Sequence, residues 1–418
     1  MVIGIVGLGD MGMLYAKIFD KASFNVLGCD LPHNHERLLS ETSKTNIQVL
    51  KEGQEVASQA DFLLFCVETE HIGDVVEALA PFIKDDAIVA GQTSIKTPEI
   101  KAFEQYLSAK VNIATIHALH GPHVSTKGQT LIAIQHRCSD EKFAQLLEVL
   151  NYTGSNIEIL DSTQQHDKMM ADVQVVTHIG FESIGTSFMH RGVYPWINPL
   201  HASGLDNLKM LMTLRIFSYK HHVYAGMALM NPYGKNHVRA YAKAENELFG
   251  LMISEEEETF RKLIYGSKEK VFKDYGGHLM FNDALLKEYA LHDSEEHLPN
   301  SHLSLLAMVV TWAYLGTNPY KNMVCQTPPF KLRVGMSEYL FMNESLLEES
   351  IHAALYDKTI RKDDLAFHTS VQEWAHIVEV GDKNGYESHF ERTKAFLSDK
   401  LEEGRNKSSR LIERLNNG

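Results

Sequence analysis

The sequence predicts an α/β chain: a doubly wound, Rossmann-like N-terminal domain followed by an all-α region. Three observations predict it. The chain opens on V-I-G-I-V-G-L-G-D-M-G, an apolar run leading straight into glycines at G-x-G-x-x-G spacing. Short apolar runs then alternate with helical patterns as far as residue 160, the signature of a parallel sheet covered by helices. From residue 161 onward apolar positions recur at helical spacing.

Val2–Val6 is the first strand and Met11–Phe19 the first helix. Gly7 permits the tight turn, Gly9 lets the backbone approach a pyrophosphate, and Gly12 lets helix and strand pack closely, with the helix N-terminus facing the phosphates. Gly7, Leu8, Gly9, Asp10, Met11 and Gly12 are therefore the expected dinucleotide contacts. Phe24–Cys29 is the second strand. It ends at Asp30, 18 residues after Gly12, where an acidic side chain usually bonds a ribose 2′-hydroxyl. Asp30 alone favours NAD, but His33, His35 and Arg37 follow and suit a 2′-phosphate, so these residues leave NAD and NADP both open. Ile47–Leu50 is a short third strand. Asp61–Val67 is the fourth, with the nicotinamide expected near Val67 and Glu68. Ala87–Ala90 and Val111–Ile116 are the fifth and sixth strands, and Leu131–Gln135 and Ile157–Leu160 flank a helix at Glu141–Leu150.

G-Q-T-S-I-K follows the fifth strand and I-H-A-L-H-G-P ends the sixth. Polar residues at the carboxyl ends of parallel strands, opposite a nucleotide, are where such sheets place chemistry. His117 suits removal of a hydroxyl proton while hydride leaves the same carbon. Ser94 suits a hydrogen bond that fixes the imidazole, and Lys96 a carboxylate or phosphate. Each also has a plainer reading, as a strand-end histidine, a capping serine and a surface lysine. His117, His120 and His123 stand three apart, but Gly121-Pro122 breaks any helix that would align them, and no metal is expected.

Net charge is −14 over 418 residues, which argues against binding nucleic acid or an anionic membrane. No apolar run approaches the ~20 residues of a membrane span; Leu303–Leu315 is the longest candidate. The four cysteines have no CxxC spacing, and the first strand starts at Val2, with no cleavable signal before it. A cytoplasmic enzyme is the simplest expectation.

After Asp161 or Ser162 as N-cap, D-S-T-Q-Q-H-D-K-M-M-A-D-V-Q-V-V-T-H reads as one long helix. Gln174 and His178 lie i, i+4 on one face, which spacing alone reads as an exposed polar side. Together with G-L-G-D-M-G, T-S-I-K, H-A-L-H-G-P and L-R-I-F-S-Y-K-H-H-V-Y-A-G-M-A-L-M-N-P, this run resembles the fungal NADP-dependent prephenate dehydrogenases over nearly the whole chain. The resemblance implies oxidative decarboxylation of prephenate to 4-hydroxyphenylpyruvate, in tyrosine biosynthesis, with NADP as cofactor. It implies His117 as the catalytic histidine, Ser94 as its support, and Arg215 and His178 at the substrate, with Lys96 a weaker carboxylate partner; Gln174, on the face of His178, is expected at the substrate with it. Ala118 and His120 depart from bacterial relatives, which carry proline and often an aromatic residue there. The alternatives are an arogenate dehydrogenase, another β-hydroxyacid-type dehydrogenase using Lys168, and a dinucleotide sensor without turnover.

An ungapped shift of 124 residues pairs His178 with His302, Gly192 with Gly316, Pro195 with Pro319, Asn198 with Asn322, Leu208 with Leu332, Met212 with Met336 and Phe217 with Phe341. Chance gives roughly two or three such identities in that span. Lys209 pairs with Arg333, while Arg215 pairs with Tyr339. The expected organisation is a dinucleotide domain at 1–160, a helical domain at 161–290 and a degenerate copy at 291–418. This is an intrachain pseudo-dimer, with a homodimer left open. Glu387–Leu415 reads as a solvated helix or two without chemistry.

Overall fold

The structure, a computed structural model, describes residues 1–122, 124–194, 196, 204–277 and 298–417. It divides into two compact units, Met1–Lys168 and Met169–Gly418. The first runs past the expected boundary at 160. The expected division near 290 falls inside the second, outside the described residues.

In the first unit β1 (Val2–Val6), β2 (Asn25–Cys29), β3 (Gln48–Val49), β4 (Phe62–Phe65), β5 (Ile88–Gly91), β6 (Asn112–Ala118), β7 (Thr130–Arg137) and β8 (Asn156–Leu160) form one sheet. Its order is β3-β2-β1-β4-β5-β6-β7-β8, parallel throughout except between β6 and β7. The central strands are apolar on both faces because helices cover both. Ile3, Ile5, Phe62 and Leu64 enter one core, and Val6, Leu63, Phe65 and Val89 enter the other. Strand order reverses between β1 and β4, and such a switch point opens a crevice at the carboxyl ends. Gly7, Val67 and Ser94 follow strands at that edge, and His117 is next to last in β6.

The second unit is helical. The helix expected to run unbroken from Asp161 is three segments: α7 (Thr163–Met170), a π-helical turn (Ala171–Val175) and α8 (Val176–Arg191). Ser162 accepts from Gln165 N–H as a cap. The π turn carries one extra residue per turn, so Gln174 and His178 do not follow the simple i, i+4 stripe. Helices α9 (Gly204–Phe217), α10 (His221–Leu229), α11 (Gly234–Ser254) and α12 (Glu257–Val271) follow. Then come α13 (Leu303–Leu315), α14 (Pro328–Met342), α15 (Glu344–Tyr356), α16 (Arg361–Val380), α17 (Lys383–Phe396) and α18 (Leu401–Asn417).

Shifted by 124 residues, α8 to α12 fall on α13 to α17 one by one. Both α8 and α13 stop at a left-handed glycine, Gly192 (φ 61°) and Gly316 (φ 67°). The matched prolines and asparagines include Pro195 and Asn198, which lie outside the described residues. Packing follows the same correspondence. Helix α8 lies along α16 while α13 lies along α11, and α8 meets α13, α9 meets α14 and α11 meets α16. Helices from the earlier and later parts of the unit thus cover one another. That explains why α13 is apolar all round and why Leu303–Trp312 are all buried. Among the described residues no helix is long and apolar enough to cross a membrane.

Candidate active site

At the β1–α1 turn (α1, Asp10–Lys21) Gly7 adopts φ 92°, and a Cβ there would lie 2.6 Å from Cys66 O. A Cβ on Gly12 would lie 1.9 Å from Gly7 O, whereas Gly9 has nothing within 4 Å. Helix α1 has no side-chain cap, so its first-turn N–H groups are available to an anion. Leu8 is buried and offers only its backbone; Asp10 is exposed, and Met11 and Val67 are half-buried. These residues fit a dinucleotide. Asp30 Oδ1 accepts from Leu31 N and Asn34 Nδ2, both at 2.7 Å, which commits that oxygen to its own loop.

His117, next to last in β6, is buried, and pairs through Nδ1 with His166 Nε2 at 2.9 Å. His166 Nδ1 lies 2.9 Å from Asp167 Oδ1. Asp167 also caps α5 (Lys96–Tyr106), accepting from Lys96 N, Thr97 N and Thr97 Oγ1. Burial, then the charges of His166 and Lys96, hold His117 well below the usual histidine range. His120, half-buried, reaches Gly121 O, and His123 lies outside the described residues.

Lys96 departs from expectation. It is fully buried, and Nζ donates to Ile116 O (2.7 Å), Gly91 O (3.2 Å) and the Glu99 carboxylate (3.3 Å). Glu99 is satisfied in turn by Thr93 and Thr115. An ammonium so spent has no capacity for a substrate carboxylate. It ties the end of β5 to the carbonyl preceding His117. Ser94 is half-buried beside this network and makes no hydrogen bond to His117 among the described residues. Gly91 leaves room for the Glu99 carboxyl, since a Cβ would lie 2.1 Å from it. Gly91→Ala is expected to cost about 3 kcal/mol by overpacking a buried ion pair. Urea unfolding checks this, and an unchanged midpoint would contradict it.

In the second unit His178 (α8) is buried edge-on to Tyr224 at 4.7 Å, and its Nδ1 has no hydrogen-bond partner among the described residues. Burial, then Arg333, depress its pKa well below 6.5. Arg333 (α14), which the sequence reading did not name as a site residue, is 5% exposed. Its guanidinium donates to Thr177 Oγ1 (3.1 Å) and Met212 Sδ (3.4 Å) and stacks over Phe330 at 4.5 Å. Burial, reinforced by the charge of Arg215, lowers it to about 10, so it stays cationic at neutral pH. Arg215 (α9) is half-buried, stacks on Tyr219, and donates to Ser409 Oγ (2.9 Å) and Ser408 Oγ (3.4 Å). The C-terminal helix α18, expected to be solvated and without chemistry, thus holds an arginine of the candidate site. Neither arginine pairs with a carboxylate among the described residues. Glu182 nearby is pushed up to about 7 by burial and accepts from Tyr386 OH (2.7 Å). Gln174 is half-buried, donating to Met170 Sδ at 3.4 Å.

At the corresponding place in the other half Lys209 replaces Arg333 and Asp206 replaces Phe330. Lys209 Nζ is neutralised by Asp206 (2.7 Å) and meets His302 Nδ1 (2.9 Å). Among the described residues, Arg333 therefore makes no ion pair, whereas Lys209 is paired with Asp206.

Known proteins match this arrangement along its whole length. The family described as the NAD binding domain of 6-phosphogluconate dehydrogenase matches residues 2–160. A family described as a 6-phosphogluconate dehydrogenase C-terminal domain matches residues 175–417. A Saccharomyces cerevisiae protein named prephenate dehydrogenase (NADP+) is 40% identical over 96% of this chain and 91% of its own. A Schizosaccharomyces pombe protein named as a probable prephenate dehydrogenase (NADP+) is 39% identical over 99% and 97%. The crystal structure of Aquifex aeolicus prephenate dehydrogenase, with hydroxyphenyl propionate and NAD+, shares the fold (TM-score 0.53, 18% identity), covering 98% of that chain but 66% of this one. A dinucleotide turn, a buried strand-end histidine and a helical unit of this kind, matched end to end by the fungal sequences, place the chain in the fungal-type family of NADP-dependent prephenate dehydrogenases.

Proposed function

We propose that the chain oxidises prephenate with NADP to 4-hydroxyphenylpyruvate and carbon dioxide, with His117 as base and Arg215 and Arg333 as carboxylate ligands. The observation that carries the reaction is the full-length likeness to the two fungal enzymes; the roles rest on the site. NADP, when bound, accepts the hydride from the ring carbon bearing the hydroxyl. His117 Nε2 takes the hydroxyl proton as that carbon becomes a carbonyl. The bond to the ring carboxylate breaks, its electron pair makes the ring aromatic, and His117 returns the proton to the phenolate oxygen. No net proton is released. A histidine kept neutral by burial is suited to that loan.

Prephenate's two carboxylates need cations, and two guanidiniums without carboxylate partners among the described residues supply them. His178 Nδ1, buried without a partner among the described residues, is left for a polar group of the substrate. For the 2′-phosphate, the engagement of Asp30 by Leu31 and Asn34 weakens the objection to NADP. His33, His35 and Arg37 are the cationic candidates on the following turn.

The helical unit is read as two fused copies, an intrachain pseudo-dimer with one live site. The recurrence of five helices and their reciprocal packing support this. So does the bacterial chain, nearly all of which is covered by two thirds of this one.

The test is nicotinamide reduction with prephenate, with the product identified as 4-hydroxyphenylpyruvate. NADP is expected to exceed NAD in kcat/KM by about tenfold or more, roughly 1.4 kcal/mol for one charge-assisted contact. Turnover with arogenate alone would replace the substrate, and tight NADP binding without turnover on either would favour a sensor.

A further inference from the structure

Resting on that reading, we propose that His166 and Asp167 are positioning residues. They hold His117 in the tautomer whose Nε2 is the free base, and they share the proton it takes up.

The direction of the hydrogen bonds fixes the tautomer. Asp167 Oδ1 also accepts from Lys96 N–H at 2.8 Å, and Oδ2 from Thr97 N and Oγ1, so the carboxyl is an ionised acceptor. The hydrogen bonds from His166 and Thr97 keep its pKa low despite burial. His166 Nδ1, 2.9 Å away, must therefore carry a hydrogen. Burial favours neutral His166, so its Nε2 is an acceptor. Across 2.9 Å, His117 Nδ1 must then donate. Only one tautomer of His117 remains: hydrogen on Nδ1, lone pair on Nε2, which has no protein partner among the described residues.

The same chain handles the charge. When His117 Nε2 gains the substrate proton, the Nδ1 hydrogen can pass to His166 Nε2, which places the imidazolium directly against the Asp167 carboxylate. The reverse hop precedes return of the proton to the phenolate oxygen, so no proton is gained or lost. The other charged or titratable groups facing the pair are Lys96, Glu99 and His120. Lys96 and Glu99 already neutralise each other.

The test compares His166→Phe, which removes the acceptor, with His166→Gln, whose amide oxygen can accept from His117 Nδ1–H. His166→Phe is expected to lower kcat about a hundredfold with KM for prephenate and NADP within about twofold. His166→Gln should recover about tenfold of that loss. Wild-type kcat should fall at acid pH as His117 protonates. A folded His166→Phe with kcat like wild type, or a folded His166→Gln no more active than His166→Phe, overturns the proposal. Independently of turnover, imidazole nitrogen NMR of the unmodified protein should show both histidines protonated at Nδ1. Protonation of His117 at Nε2 would also overturn it. Absence of wild-type turnover with that NMR pattern intact would instead count against the substrate assignment.

Discussion

His117→Asn is expected to lower kcat for prephenate oxidation by about three orders of magnitude, with KM for prephenate and affinity for NADP changed by less than about twofold. Asparagine fills similar space and can still donate to His166, but it cannot accept and return a proton. Steady-state kinetics and equilibrium NADP binding check this, and activity within tenfold of wild type would remove His117 from the chemistry. The pH dependence has a definite sign. The base works neutral, so activity is present above its pKa and lost as pH falls through it. Burial and the neighbouring His166 hold that pKa well below 6.5, so the wild-type acid limb should lie below the pH at which an unburied histidine titrates.

Arg333→Met should raise KM for prephenate by about two orders of magnitude, roughly 3 kcal/mol for a desolvated charge-assisted contact, with NADP affinity unchanged. Arg215→Ala should act in the same direction. Lys209→Met, at the corresponding position of the other half, should leave KM within about twofold because Asp206 already neutralises that cation. Stability separates the functional role from a structural one. A buried guanidinium without a carboxylate carries a desolvation cost, so its replacement by methionine should leave thermal stability level or raise it. Lower stability with unchanged KM would make Arg333 a packing residue.

The sheet was readable because fully covered parallel strands are short apolar runs and the glycine turn allows few alternatives; each of the eight strands lies within a residue or two of its expected place. Periodicity could not reveal the π turn at Ala171–Val175, because a single extra residue leaves the apolar stripe nearly intact. His117 was legible from its place at a strand end. His166 and Asp167 were not, because their roles arise only when the start of α7 is set beside α5 and β6, some 50 to 70 residues away in sequence. Lys96 was misread for a related reason: a lysine after a strand is usually exposed, and only Glu99 one turn on hinted at burial. Arg333 did leave a signal, as the residue matched to Lys209 by the 124-residue shift, but its significance depends on the Asp206 carboxylate that neutralises Lys209.

The reciprocal packing of α8 on α16 and of α11 on α13 sets a schedule for synthesis. Helix α8 leaves the ribosome about 170 residues before α16, a wait of roughly ten to thirty seconds at ordinary elongation rates. Throughout it Thr186, whose hydroxyl accepts from Trp374 Nε1 in the finished protein, lacks that partner. The helical unit cannot mature in the order it is made, and its newborn N-terminal helices are a natural client for chaperones.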